Sequence, residues 1–203
     1  YKYLLKDKKP PTGMALIELL PRGENRIIVS PGANGSLSVR DLKRLIPVGK
    51  TIKVFVTQFE IPIETLKMGL KIARDKGAIT LLNPSPPVRL SRSVLSLVDF
   101  IVPNEWEAQL LTGIKWKGGR EIRKMAESLL ARGVRNVVVT LGSKGLFFKS
   151  GEQFPLFEIT QIPSAPGGDI LRIEKGHLPE VLSLLYLVQE LLAFHPDLAN
   201  LLG

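Results

Sequence analysis

The sequence predicts a doubly wound α/β fold, an α/β/α three-layer domain built on a mostly parallel sheet. Three observations point there. Short apolar, β-branched runs recur without polar alternation, stretches with helical periodicity separate them, and glycines or capping residues stand at the joints. Strands that do not alternate are buried on both faces, which a parallel sheet covered by helices requires. The crossovers between such strands are expected to be right-handed.

Residues 14–20 (MALIELL) and 26–30 (RIIVS) read as two short strands joined by the turn Pro21-Arg22-Gly23-Glu24-Asn25. Ser38, with Asp41 three residues on, is placed to cap a short helix. From there strands and helices alternate. Ile52–Thr57 reads as a buried strand, and residues 62–76 carry Leu66, Leu70 and Ala73 at helical spacing, stopped by Gly77. Ala78–Leu82 is a second buried strand, and a short helix over Ser93–Leu97 leads to a third at Phe100–Val102. Helices follow over 105–111 and over 120–132, the latter ended by Gly133, before a fourth strand at Val137–Thr140. Gly145–Lys149 and Leu156–Ile162 look like a strand pair, leading into the loop Pro163-Ser164-Ala165-Pro166-Gly167-Gly168-Asp169. From Leu178 a strongly apolar helix runs to a break near Pro196. It is too hydrophobic all round for a surface helix and is expected to be buried or to lie at an interface.

Composition bounds the chemistry. The 203 residues, 44% apolar and 23% charged, suit one α/β domain over 1–203. No cysteine is present, which excludes disulfide scaffolds, Cys-ligated zinc, iron–sulfur clusters and thiol nucleophiles. His177 and His195 are the only imidazoles, and with nothing beside them they read as surface or packing residues. The apolar run Val181–Leu192 is shorter than the roughly 20 residues a bilayer span needs, so no membrane partner is expected. No charged-then-apolar leader opens the chain, which makes a cytoplasmic protein the expectation. The chain starts at Tyr1 and reads as processed, trimmed or a fragment. Its net charge of +9 concentrates in the first quarter, a balance that attracts anions. The basic residues are not interleaved with aromatics, however, and no nucleic-acid-binding signature is present, so nucleic acid is not the expected partner.

Four segments could carry chemistry. Asn104-Glu105-Trp106-Glu107 begins a helix directly after a strand; it has the form of a capping box, and equally sets an amide and a carboxylate at the edge where parallel sheets bind ligands. Thr140-Leu141-Gly142-Ser143-Lys144-Gly145 is either a tight hairpin turn or a glycine loop whose amides approach an anion. Gly167-Gly168-Asp169 is either a surface turn or an anion-binding concavity with a carboxylate able to accept a hydroxyl proton. Glu60, closing a strand in Gln58-Phe59-Glu60, either accepts hydrogen bonds from a hydroxylated substrate or caps the helix starting near Pro62.

In order, the segments Pro11-Thr12-Gly13-Met14-Ala15, Pro31-Gly32-Ala33-Asn34, Gln58-Phe59-Glu60-Ile61-Pro62, Leu82-Asn83-Pro84-Ser85-Pro86, Asp99–Ala108 and Val139–Gly145 resemble the ribokinase branch of the PfkB carbohydrate-kinase family, over about residues 10–169. That resemblance implies transfer of the ATP γ-phosphoryl group to a sugar hydroxymethyl, with ribose or a related sugar as acceptor. It implies Asp169 as the base and Gly167 and Gly168 as amide donors to the transferring group. It implies Thr140, Gly142, Ser143, Lys144 and Gly145 as the nucleotide loop, Glu60 as a sugar contact, and Asn104 and Glu107 as organisers of magnesium and phosphate. Residues 12–30 would be a lid-like strand pair that mediates a homodimer, 38–169 the core and 170–203 a divergent apolar tail.

The family's opening strand and Gly-Gly substrate motif find no match in these residues, so an incomplete form of the fold is expected. Pro163-Ser164-Ala165 stands where the family carries Asp-Thr-Thr, tied to a monovalent cation, which argues against potassium activation. Three readings follow: an ATP-dependent sugar kinase, a truncated non-catalytic remnant acting as a pseudokinase or interaction module, and a basic nucleic-acid-binding protein.

Overall fold

The computed structural model describes residues 4–19, 21, 25–46, 51–117, 120–141 and 146–151. Strands β1 (Met14–Leu19) and β2 (Asn25–Ser30) form a two-stranded antiparallel ribbon in which Leu16 lies opposite Ile28. Helix α1 (Val39–Leu45) follows, then β3 (Val54–Thr57), α2 (Ile63–Asp75), β4 (Ile79–Leu82), α3 (Arg92–Leu95), β5 (Phe100–Ile101), α4 (Glu105–Thr112), α5 (Arg120–Ala131), β6 (Asn136–Thr140) and β7 (Leu146–Ser150). Every expected element that falls in the described residues is present, with ends shifted by a residue or two. The strand at 156–162, the loop 163–169 and the tail from Leu178 lie outside the described residues.

The five-stranded sheet has the order β3-β4-β5-β6-β7, with β3 to β6 mutually parallel and β7 antiparallel to β6. The α/β class and the mostly parallel sheet are those the sequence predicts. Among the described residues β7 pairs with β6, in the register Thr140 opposite Leu146 through Asn136 opposite Ser150; the expected partner of 145–149, residues 156–162, lies outside the described residues. Residues 142–145, between the two strands, lie outside the described residues.

Burial explains the non-alternating strands. One sheet face packs Leu82, Ile101, Val137 and Val139 against Leu66 and Leu70 of α2, Leu111 of α4 and Ile122, Met125 and Leu129 of α5. Each fully buried leucine there contributes about 1.5–3 kcal/mol. The other face buries Leu81, Phe100, Val102, Val138, Leu146 and Phe148 in a second cluster to which no helix contributes among the described residues. Helix α2 comes so close to β3 that a Cβ on Gly69 would stand 2.6 Å from Phe55 Cζ.

Two polar arrangements fix the frame. Ser38 and Asp41 form the anticipated capping box: the Ser38 hydroxyl accepts from the Asp41 amide, and the Asp41 carboxylate accepts from the Ser38 amide. Hydrogen bonds from the Ser38 side chain, and then from its backbone, hold the Asp41 carboxyl below its ordinary value of 3.8. At the amino ends of the strands, the Thr80 amide donates to Asp99 Oδ2 at 2.8 Å and the Asp99 amide donates to Thr80 Oγ1 at 2.9 Å, tying β4 to β5.

The β1–β2 ribbon forms its own sheet. Its root is tight: the Ala33 amide donates to Pro11 O at 2.8 Å. Gly32 sits at φ 49°, where a Cβ would meet Pro11 O at 2.5 Å. Beyond that root the ribbon exposes its apolar side chains, with Met14 at 70% and Leu16 at 66%. Among the described residues no helix is long and apolar enough to cross a membrane.

Candidate active site

Because β3 to β6 run parallel, the residues that follow them gather at one edge of the sheet, the carboxyl edge where open α/β sheets bind ligands. Gln58–Glu60 leave β3 there, Asn83 leaves β4, Pro103–Asn104 leave β5 and Thr140 ends β6. Backbone hydrogen bonds hold these exits in place. The Asn83 amide donates to Thr57 O at 2.9 Å, the Phe59 amide to Ser85 O at 3.0 Å, and the Thr140 amide to Pro103 O at 2.9 Å.

Asn104 and Thr140 are brought together. They form an isolated parallel bridge, so the ladder between β5 and β6 continues past the end of β5. Glu60 shares the edge but leaves from β3. Two strand spacings, about 10 Å, separate β3, which leads into Glu60, from β5, which leads into Asn104. The Glu60 amide donates to Gln58 Oε1 at 2.8 Å, a local turn that orients the loop.

Asn104 and Glu107 are built into helix α4 by a complete capping box. The Glu107 amide donates to Asn104 Oδ1 at 2.8 Å, and the Asn104 amide donates to Glu107 Oε2 at 2.9 Å. The capping box does not exclude the other reading of the segment, since it uses only one polar atom of each side chain. Asn104 Nδ2 and Glu107 Oε1 make no hydrogen bond to the described residues. Glu107 is 6% exposed, while Asn104 is half-buried at the rim. The remaining amides of the first helical turn add donors facing the same edge.

Among the described residues no group of three His, Asp or Glu side chains could hold a metal ion directly. The donor set fits magnesium only at second hand: the Glu107 Oε1 and Asn104 Nδ2 groups left over from the capping box suit water and phosphate oxygens, respectively, around such an ion.

Of the residues singled out in the sequence, Glu60, Asn104, Glu107 and Thr140 share this edge. Gly142, Ser143, Lys144 and Gly145 lie outside the described residues, as do Gly167, Gly168 and Asp169. Asn83 stands on the rim between Glu60 and Asn104 without having been assigned a role; its Asn-Pro dipeptide reads as a turn signal, which masks any contact it makes.

Residues 1–165 match the family model described as pfkB family carbohydrate kinase. The chain is 34% identical over 170 residues to the ribokinase of Staphylococcus aureus (strain COL), covering 82% of this chain and 56% of the relative. It is 33% identical over 162 residues to the deoxyribokinase of Salmonella typhi, covering 78% of this chain and 53% of that one. The structure of Arabidopsis thaliana ribokinase complexed with ribose and ATP superposes with a TM-score of 0.59 at 28% identity, over 70% of this chain and 46% of that chain. The chain thus spans about half the length of the relatives it matches.

Proposed function

The chain belongs to the pfkB family of carbohydrate kinases, and from that membership we propose that it acts as an ATP-dependent sugar kinase, passing the γ-phosphoryl group to the hydroxymethyl of ribose or a related sugar. The observation that carries this reading is the junction of Asn104 with Thr140 on the edge that also receives Glu60. One relative's structure is complexed with ribose and ATP, and another relative is named a deoxyribokinase. Both support a pentose as the acceptor.

Phosphoryl transfer asks a protein for positioning and charge neutralisation more than for covalent chemistry. In this reading Glu60 accepts hydrogen bonds from sugar hydroxyls at one end of the rim. Asn104 Nδ2 donates toward phosphate oxygens, and Thr140 leads into the Gly142–Gly145 loop, whose amides, with Ser143 and Lys144, receive the nucleotide phosphates. Gly167 and Gly168 donate amides to the transferring group, and Asp169 takes the proton from the attacking hydroxyl. Glu107 Oε1 and Asn104 would hold water and phosphate oxygens around magnesium, which when bound would neutralise phosphate charge. No monovalent cation enters the proposal. A homodimer through the exposed ribbon and a cytoplasmic location belong to the same reading.

One sequence feature favours the alternative of a non-catalytic remnant: Pro163 and Pro166 fix backbone torsions within the loop that would carry Asp169. Calorimetry with ATP–Mg and ribose, beside an ADP-release assay, separates the two. The kinase reading expects heat with ATP–Mg and ribose-dependent turnover that Asp169→Asn abolishes while ATP binding persists. Absence of heat with both ligands would overturn it, and an unchanged rate in Asp169→Asn would remove the assigned base.

A further inference from the structure

The opposite edge of the sheet holds a cavity of about 310 Å³, at the amino ends of β4, β5 and β6, where Ile79, Phe100 and Asn136 begin their strands. Its charged lining is Arg74, Asp99 and Arg135. We propose that this cavity is a binding site for a phosphate oxyanion, taken either as free phosphate or as a small phosphomonoester. The inference is independent of the kinase reading, which concerns the carboxyl edge.

Charge balance comes first. Two guanidiniums converge on one carboxylate: Arg135 Nη1 donates to Asp99 Oδ1 at 2.9 Å, and Arg74 Nη1 lies 3.6 Å from the same oxygen. Asp99 Oδ2 is already occupied by the Thr80 amide at 2.8 Å and lies 3.0 Å from the Thr80 hydroxyl. One carboxylate, 8% exposed and fully engaged, therefore faces two permanent cations, and the other lining side chains are uncharged. The lining carries a surplus positive charge.

Donor geometry comes second. Each arginine is held through Nη1, Arg74 by Ser96 O at 3.1 Å and Arg135 by Asp99. Their Nε and Nη2 groups make no hydrogen bond to the described residues. Anchored guanidiniums with donors in reserve suit the tetrahedral oxygens of phosphate. Asn136 donates Nδ2 to Asp99 O at 3.0 Å, which leaves its Oδ1 as an acceptor for a protonated phosphate oxygen or an ester hydroxyl. The volume exceeds what a bare ion needs and matches the small end of ligand pockets. Ile79, 40% exposed, and Phe100 offer an apolar wall for an ester's carbon skeleton.

The test titrates the full chain with inorganic phosphate and, separately, phenyl phosphate, while following backbone amides by NMR. Saturable shifts are expected at Gly77, Phe100 and Asn136 with either probe. Tighter binding of phenyl phosphate would identify a phosphomonoester site, and equal or weaker binding a site for the free ion. Arg135→Gln should weaken binding by about tenfold or more, and Arg135→Lys by less, because a charge remains without the planar fork. The Arg135 side chain is 52% exposed and Arg74 still faces Asp99, so both variants should fold; the Lys variant keeps the comparison available where the Gln variant does not. Absence of saturable shifts at those three amides up to about 10 mM probe would overturn the proposal, as would equal affinity in wild type and an Arg135 variant.

Discussion

Replacing Asn104 separates its two duties. Its Oδ1 accepts the Glu107 amide at 2.8 Å, while its Nδ2 has no partner among the described residues. Asn104→Ala removes both groups. Losing an N-cap acceptor costs about 1 kcal/mol, and in a chain of this size that lowers the melting temperature by about 2–4 °C. The reciprocal arm, from the Asn104 amide to Glu107 Oε2, involves backbone and survives. Asn104→Ser keeps an oxygen at the cap and removes only the amide donor, so its melting temperature should stay within about 1–2 °C of wild type. If Nδ2 meets a phosphate oxygen, each variant loses a hydrogen bond to a charged group, about 1.5–3 kcal/mol, or roughly tenfold to a hundredfold in affinity for ATP–Mg. Thermal denaturation by circular dichroism and calorimetry with ATP–Mg read the two quantities separately. The reasoning expects Ala and Ser to differ in melting and to agree in nucleotide binding. Wild-type affinity in Asn104→Ser would reduce the residue to a cap and refute its place in the site. An unshifted melting temperature in Asn104→Ala would refute the capping argument.

Three further outcomes follow from the geometry. Gly69→Ala gains about 1 kcal/mol of helix propensity but drives a Cβ to 2.6 Å from Phe55 Cζ, an overpacking cost of about 1–3 kcal/mol; urea denaturation should show net destabilisation, largely relieved in the Phe55→Leu background, and equal effects in both backgrounds would contradict the contact. The Asp41 carboxyl should titrate below 3.8 by carbon-detected NMR and return toward that value in Ser38→Ala. Its folded value is depressed, so its contribution to stability is present above 3.8 and is lost as pH falls through the lower folded value; a midpoint at or above 3.8 would contradict the assigned hydrogen bonds. Leu16→Lys, opposite Ile28 on the ribbon, should halve the mass seen by analytical ultracentrifugation if the ribbon forms the proposed dimer, and an unchanged mass would move the interface elsewhere.

The sequence made the local features legible. Ser38 with Asp41 and Asn104 with Glu107 announce capping boxes because a cap is decided within four residues, and both boxes form. The β-branched runs at β4 and β6 announce buried strands because burial on both faces suppresses alternation. By contrast β3, expected to be buried, stands at the edge of the sheet among the described residues with Val56 42% exposed, because edge position is a tertiary outcome that the run itself does not encode. Pairing was less legible. The partner of β7 is a tertiary choice, and the turn composition of residues 141–145 allows a hairpin without naming its strands. The convergence of Arg74, Asp99 and Arg135 was not legible at all, since three helix and strand ends must meet before the charges do. At the candidate site, proximity of Asn104 and Thr140 follows from the parallel order of β5 and β6, which the fold class supplied.

The ribbon's root divides labour between backbone and side chains. At Gly32 a methyl group would collide with main-chain atoms of Pro11, Thr12 and Gly13, and at Gly13 it would come within 2.8 Å of Pro31 O. The angle at which the ribbon leaves the body is thus written in positions that tolerate no elaboration. The residues projecting from its two faces are under no such restraint, and they can drift between related molecules without altering that angle. Two lineages could therefore come to prefer different neighbours while presenting the same scaffold to each, and swapping only the outward-facing residues should transfer that preference.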